Sequence, residues 1–398
     1  MSELNETSRA NRLHIGVFGR RNAGKSSLIN LITGHDTALV SEFAGTTTDP
    51  VFKSIELHGI GPCVLIDTPG FDDEGDLGAL RVERTQNAMD KTDIALLVVS
   101  ADSSDTSMEE TWLSRFKEKK TPVLGVITKT DLKEPHAMEA HMRDAWHIPY
   151  VVIPQAHDEV PHLIRKAVLR LIPEDFEQRS LTAGLVSPGD VVLLVMPQDI
   201  QAPKGRLILP QVQTIRDLLD HKAIVLSCTT DNFSAALASL NAPPALIITD
   251  SQVFPFVYEN KPQQSRLTSF SVLMAGLKGD IEALAHGASV ISSLTEKSRV
   301  LIAEACTHAP LTEDIGRVKI PRMLKKRFGE GIAIDMVSGN DFPSDLSSYD
   351  LIIHCGGCMF NRKYFSSRQE AAKNAGVPMT NYGVFIAAFN GILDKISF

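Results

Sequence analysis

The sequence predicts an α/β protein throughout, divided into three domains. Short apolar runs recur between helix-length amphipathic stretches along the whole chain, and a glycine-rich pattern suited to phosphate sits between the first run and the first helix. The length of 398 residues gives room for two or three domains, each able to bury its own core. Hydrophobic residues at 43% and charged residues at 22% describe an ordinary globular chain and exclude disordered and collagen-like classes.

In order, Leu13–Gly19, Cys63–Ile66, Ile94–Val99, Val123–Thr128 and Val151–Ile153 read as buried strands bounded by Gly, Pro, Thr or Asp. Their alternation with helices implies βαβ units and a mainly parallel sheet covered on both faces. Arg165–Leu171 reads as a closing helix that Pro173 stops. A second alternation follows: strand Val191–Met196, helix Gln211–Asp220, strand Ala223–Cys228, helix Phe233–Leu240 and strand Ala245–Thr249. The polar, proline-bearing stretch Tyr258–Arg266 reads as a linker. Beyond it, after a helix-rich entry, Val300–Cys306, Ile332–Val337, Leu351–Cys355 and Val377–Asn381 read as strands. The expected domains are therefore 1–175, 176–264 and 265–398.

The formal net charge of −8 argues against a nucleic-acid-coating role and predicts no nucleic-acid partner. No run approaches the ~20 apolar residues a membrane helix needs. The start, Met1 to Arg12, is polar and mixed in charge, so the chain reads as cytoplasmic, with no membrane partner. Five cysteines, an odd count, argue against a disulfide framework and leave metal binding or inert burial.

Gly19-Arg20-Arg21-Asn22-Ala23-Gly24-Lys25-Ser26 fits G-x-x-x-x-G-K-[ST] between a strand and a helix. The glycines let backbone N–H groups face phosphates, and the helix N-terminus adds positive potential. Lys25 would reach the β- and γ-phosphates, and Ser26 would ligate Mg²⁺. Asp67-Thr68-Pro69-Gly70 ends a strand 42 residues after Lys25; its carboxylate can hold Mg²⁺ through water and Gly70 can offer an N–H to the γ-phosphate. Between them, a threonine of Ala44-Gly45-Thr46-Thr47-Thr48-Asp49-Pro50 can complete the magnesium shell. After the strand ending at Thr128, Asp131 can accept both N–H groups of a guanine edge while the Lys129 stem lies over the base.

These four elements, in this order, resemble the translation-factor-related GTPases of the Era and tRNA-modifying type over residues 13–173. The resemblance implies a P-loop GTPase domain that binds GTP and GDP and hydrolyses GTP. It assigns Gly19, Arg20, Asn22, Ala23, Gly24, Lys25, Ser26 and Ser27 to the nucleotide, with Thr47 (or Thr46), Asp67, Gly70, Lys129 and Asp131. Lys25, Thr47 and Gly70 become the catalytic set, Ser26, Thr47 and Asp67 the Mg²⁺ ligands, and Asn22 a K⁺ site that stimulates hydrolysis. Phe71 stands where Ras-like proteins carry a catalytic glutamine, which implies slow turnover. Thr128 replaces the asparagine that opens the usual guanine motif, and Gln155-Ala156 is the best match to the base-proximal Ser-Ala.

Three cysteines lie in the last region: Cys306-Thr307-His308, and His354-Cys355-Gly356-Gly357-Cys358, with Cys355 standing 49 positions after Cys306. Each group follows an expected strand, so parallel neighbours would bring both to the rim where open α/β sheets place ligands. Two physical options stand at this point: Zn²⁺ in a Cys₃His set, or a [4Fe–4S] cluster on three cysteines with an exchangeable fourth ligand. Cys63 and Cys228 read as packing residues.

Cys-x-His followed some fifty residues later by His-Cys-x-x-Cys, behind a GTPase domain, resembles the [FeFe]-hydrogenase maturation GTPases, the HydF family. The stretch Ala202-Pro203-Lys204-Gly205-Arg206-Leu207-Ile208-Leu209-Pro210-Gln211 is also similar to that family's middle domain. The resemblance implies a GTPase domain, a small α/β dimerisation domain and an α/β cluster-binding domain in a homodimer. It implies that Cys306, Cys355 and Cys358 hold a [4Fe–4S] cluster whose fourth iron is open or loosely held by His308, His354 or Glu313. It further implies a scaffold that accepts a two-iron carbonyl/cyanide precursor, made with two radical maturation enzymes, and delivers it to apo-[FeFe]-hydrogenase. The alternative is an Era-like or tRNA-modification GTPase with a structural zinc site.

Overall fold

A computed structural model describes residues 8–34, 41–43, 50–69, 84–173, 176, 180–197, 207–305 and 314–398. The chain divides into two compact units at residues 177 and 178.

The first unit is a seven-stranded sheet in the order β2-β3-β4-β1-β5-β6-β7. Its strands are β1 (Leu13–Phe18), β2 (Ser41–Phe43), β3 (Val51–Leu57), β4 (Gly61–Asp67), β5 (Ile94–Ser100), β6 (Val123–Thr128) and β7 (Tyr150–Val152). Every residue of β1, β5 and β6 is buried, as expected of apolar runs covered on both faces. Helices α1 (Lys25–Gly34) and α5 (Val160–Leu169) close one face, where Leu28, Ile29, Ile164 and Val168 meet Ile15 and Val17. Helical residues 84–89 (α2), α3 (Ser107–Glu118) and α4 (His136–Ala140) close the other, where Phe116 meets Phe18 edge-on at 4.8 Å. β1 lies parallel between β4 and β5, so the loops after β1, β4 and β6 leave from one edge. The antiparallel β2–β3–β4 edge extends a sheet that was expected to be mainly parallel. Helix α5 begins at Val160 rather than Arg165, because Pro161 fits its first turn.

The second unit holds two parallel four-stranded sheets. One has the order β11-β10-β8-β9, from β8 (Val191–Val195), β9 (Ile224–Cys228), β10 (Leu246–Thr249) and β11 (Arg266–Ser269). The other has the order β13-β12-β14-β15, from β12 (Arg299–Glu304), β13 (Ala333–Ser338), β14 (Leu351–His354) and β15 (Met379–Asn381). Helices α6 (Leu209–Asp220), α7 (Phe233–Ala238), α8 (Phe254–Asn260), α9 (Phe270–Lys278), α10 (Ile281–Ala288), α11 (Ile320–Phe328), α12 (Arg362–Asn374) and α13 (Tyr382–Phe389) connect them. Side-chain caps set four of the starts: Ser269 for α9, Asp280 for α10, Asn361 for α12 and Asn381 for α13.

The linker expected at Tyr258–Arg266 is corrected. That polar string is the end of α8 and a tight turn in which Lys261 Nζ donates to the carbonyls of Pro262 and Ser265, at 3.2 and 2.6 Å. The strand that follows pairs with β10, so the boundary drawn between 264 and 265 cuts the first sheet of this unit. The two sheets also share one core, in which Leu193, Val195 and Ile247 join Val300, Ile302, Ile353, Val384 and Phe385. Among the described residues no helix is long and apolar enough to cross a membrane.

Candidate nucleotide and metal sites

The loop after β1 bends through positive φ at Asn22 (60°) and Gly24 (96°) before α1 opens at Lys25. A cavity of about 480 Å³ lies over it, lined by Asn22, Gly24, Lys25, Ser26 and Ser27 on one side and Thr128, Lys129 and Asp131 on the other. The two expected nucleotide motifs therefore face one space. Lys25 Nζ donates to the carbonyls of Gly19 and Arg20, both at 2.8 Å, which seats the ammonium against the loop. An ammonium over backbone N–H groups at a helix start is an arrangement that takes a phosphate. Asp67, at the end of β4, is raised in pKa by burial, with Lys25 and Lys53 pulling the other way. Thr68 Oγ1 donates to Val17 O at 2.6 Å and pins the turn after Asp67 to β1.

Arg20, assigned to the nucleotide as part of the loop, pairs its side chain with two carboxylates. Its guanidinium is committed to Glu109 at 3.0 Å and Asp105 at 3.0 Å on the far side of the loop. Burial raises the Glu109 carboxyl in spite of that partner. Nε and one terminal nitrogen of Arg20 thus donate to carboxylates. Gln155 and Ala156 are exposed and do not line the cavity; Ile153 and His157 line it there instead. Sequence reading missed His157 and had no motif that could reveal it. Thr46, Thr47, Gly70 and Phe71 lie outside the described residues.

Thr128 works as a strut. Its hydroxyl donates to Ala23 O at 2.6 Å and lies 3.3 Å from Val99 O, so its single proton is spent inside the protein. Thr130 Oγ1 donates to Ile153 O at 2.9 Å. Together they tie the loop of Lys129 and Asp131 to the phosphate loop and to the end of β7.

In the second unit, β12 and β14 are parallel neighbours with Ala303 opposite His354, so their C-terminal ends leave side by side. Cys355 follows β14, and its Sγ accepts the Ala305 N–H at 3.0 Å. The position just before Cys306 thus touches the Cys355 sulfur. Gly357 turns the loop at φ 64°, and an added Cβ there would sit 2.9 Å from the Phe365 ring. Burial, and then Cys358, pushes the Cys355 thiol up to about 12. Cys306, His308 and Glu313 lie outside the described residues, and among the described ones no three His, Cys, Asp or Glu side chains gather as a metal group. The residues present fit a sulfur-ligated centre: two thiols on one glycine-rich turn, with a backbone N–H already aimed at one sulfur.

His354 is corrected as a fourth ligand. Its ring is fully buried, with Nδ1 2.8 Å from Cys355 O and Nε2 3.0 Å from an Arg368 nitrogen. Burial, and then Arg368, depresses it to about 3. Both ring nitrogens are in use, so neither is left for a metal. Cys63 is buried mid-strand, and burial pushes its thiol up to about 12, in keeping with a packing role. Cys228 packs at the edge of the second unit's core.

Residues 14–129 match the family model described as "50S ribosome-binding GTPase". Residues 181–279 match that for the hydrogen maturase F dimerization domain, and residues 282–397 that for its tetramerization domain. GTPase Der of Wolinella succinogenes is 30% identical over 193 residues, 46% of this chain and 41% of its own length. The tRNA modification GTPase MnmE of Natranaerobius thermophilus is 40% identical over 119 residues, 30% of this chain and 25% of its own. The chain thus spans less than half the length of these relatives. Among solved structures, Era of Aquifex aeolicus aligns at 19% identity over 57% of this chain and 98% of its own, with a TM-score of 0.33. Both relatives are named as GTPases, and residues 14–129 of this chain match a GTPase family model. The two maturase models lie end to end over more than half of the chain, so it belongs to the hydrogen maturase F family, with a GTPase domain ahead of them.

Proposed function

We propose that this chain is a GTP-hydrolysing scaffold that holds a [4Fe–4S] cluster on Cys306, Cys355 and Cys358. It receives a two-iron carbonyl/cyanide precursor, made with two radical maturation enzymes, and passes it to apo-[FeFe]-hydrogenase. The observation that supports this best is the Ala305 N–H on Cys355 Sγ, because it sets the residue before Cys306 against the other two cysteines' loop. When bound, the cluster supplies an iron with an exchangeable position beside which the precursor can sit. The chain's part is to hold three thiolates at one rim. Glu313 or His308 would close the fourth position loosely.

In the first unit, Lys25 would neutralise the β- and γ-phosphates, with Ser26, Thr47 and Asp67 around Mg²⁺ and Asn22 at K⁺. Asp131 and Lys129 would read the guanine, and the Gly70 N–H would meet the γ-phosphate. With Phe71 in place of a glutamine, turnover would be slow and K⁺-stimulated. The chain would work as a homodimer in the cytoplasm.

The test is transfer. Full-length chain, matured anaerobically and added to apo-hydrogenase, should yield hydrogen evolution. Cys358→Ser should abolish this while keeping GTP hydrolysis, and Lys25→Ala should lose hydrolysis while keeping iron. Full activation by the Cys358→Ser chain would overturn the scaffold reading.

A further inference from the structure

Arg368, on α12, is 3% exposed. Guanidinium groups buried this deeply are normally paired with a carboxylate. Among the described residues Arg368 has none within ion-pairing distance; its N–H groups go to neutral acceptors. One terminal nitrogen donates to His354 Nε2 at 3.0 Å, and the other to Gly339 O and to the Tyr364 hydroxyl at 3.1 Å. Nε has no partner. The rings of Phe342, Phe360 and Tyr364 lie 4.7, 4.6 and 4.7 Å from the guanidinium carbon. Ring faces stabilise a cation without cancelling its charge.

That charge stands beside the cysteine turn. A guanidinium only donates, so His354 Nε2 accepts, its ring proton sits on Nδ1, and Nδ1 donates to Cys355 O at 2.8 Å. An unbroken chain of hydrogen bonds therefore runs from Arg368 to the Cys355 backbone. Phe360 and Tyr364, two of the rings around the guanidinium, also pack with Ala305 and Cys355.

We propose that Arg368 is the buried counter-charge of the iron centre carried by Cys355 and Cys358, a positioning residue that acts through His354 and the field of its fixed charge; this rests on the cluster reading above. Thiolate-ligated clusters are anionic, and reduction adds a further negative charge. A cation held in a poorly screened interior favours that added electron and so raises the potential.

The experiment compares full-length wild type, Arg368→Gln and Arg368→Lys, each reconstituted with iron and sulfide and titrated anaerobically by the resonance of the reduced cluster. Arg368→Gln should raise the oxidised-to-reduced ratio at a fixed potential at least tenfold, which for one electron is a shift of about 59 mV to lower potential. Arg368→Lys, which keeps the charge, should shift it far less. If the Gln variant does not fold, Arg368→Met, apolar among the three rings, carries the same expectation. Coincident titrations of wild type and the neutral variant overturn the proposal alone, as does a Lys shift as large as the Gln shift. A wild type that holds no iron overturns the cluster reading and the proposal with it.

Discussion

Thr128 stands where the GTPase pattern calls for asparagine, and its hydroxyl is bonded to Ala23 O at 2.6 Å. Thr128→Val keeps the shape and removes the proton, leaving a buried carbonyl unpaired at a cost of about 1–3 kcal/mol. The expected result is a lower unfolding midpoint for the first unit and weaker GTP binding, with Thr128→Ser near wild type; calorimetry and nucleotide titration read both. The P-loop and the Asp131 loop were legible as residue strings, because their chemistry is local in sequence. The work of Thr128, the diversion of Arg20 to Glu109 and the capture of His354 were not. Each depends on a partner brought close by the fold: Ala23, Glu109 and Arg368 stand 105, 89 and 14 residues away.

At the scale of elements, buried strands were the most legible feature, since β1, β5 and β6 are unbroken apolar runs. β3 escaped notice because its burial is partial and its residues V-F-K-S-I-E-L are mixed. β11 escaped for a different reason: four residues directly abut α9, and only pairing with β10 makes them a strand. Close packing between elements was also invisible. On α10, a Cβ at Gly287 would sit 2.1 Å from Met379 O of β15. Gly287→Ala gains about 1 kcal/mol of helix propensity but forces helix and strand apart at roughly 3 kcal/mol, a net loss near 2. A drop in the urea midpoint of the second unit would show it; an unchanged midpoint would mean that α10 is not held that close.

For the whole molecule, the shared core of residues 178–398 predicts that this unit unfolds in one transition. Cutting it between 264 and 265 strips β11 from its sheet, so neither piece should show cooperative urea unfolding by circular dichroism. Separate, sharp transitions for the two pieces would refute the shared core. The most direct measurement of the central claim is the metal content of the anaerobically purified full-length chain, read as iron, sulfide, zinc and electron resonance. The account predicts a brown protein with a full cluster's iron and sulfide per chain, lost in Cys355→Ser while GTP hydrolysis persists. A colourless protein that carries zinc, or iron that survives the loss of Cys355, would contradict it.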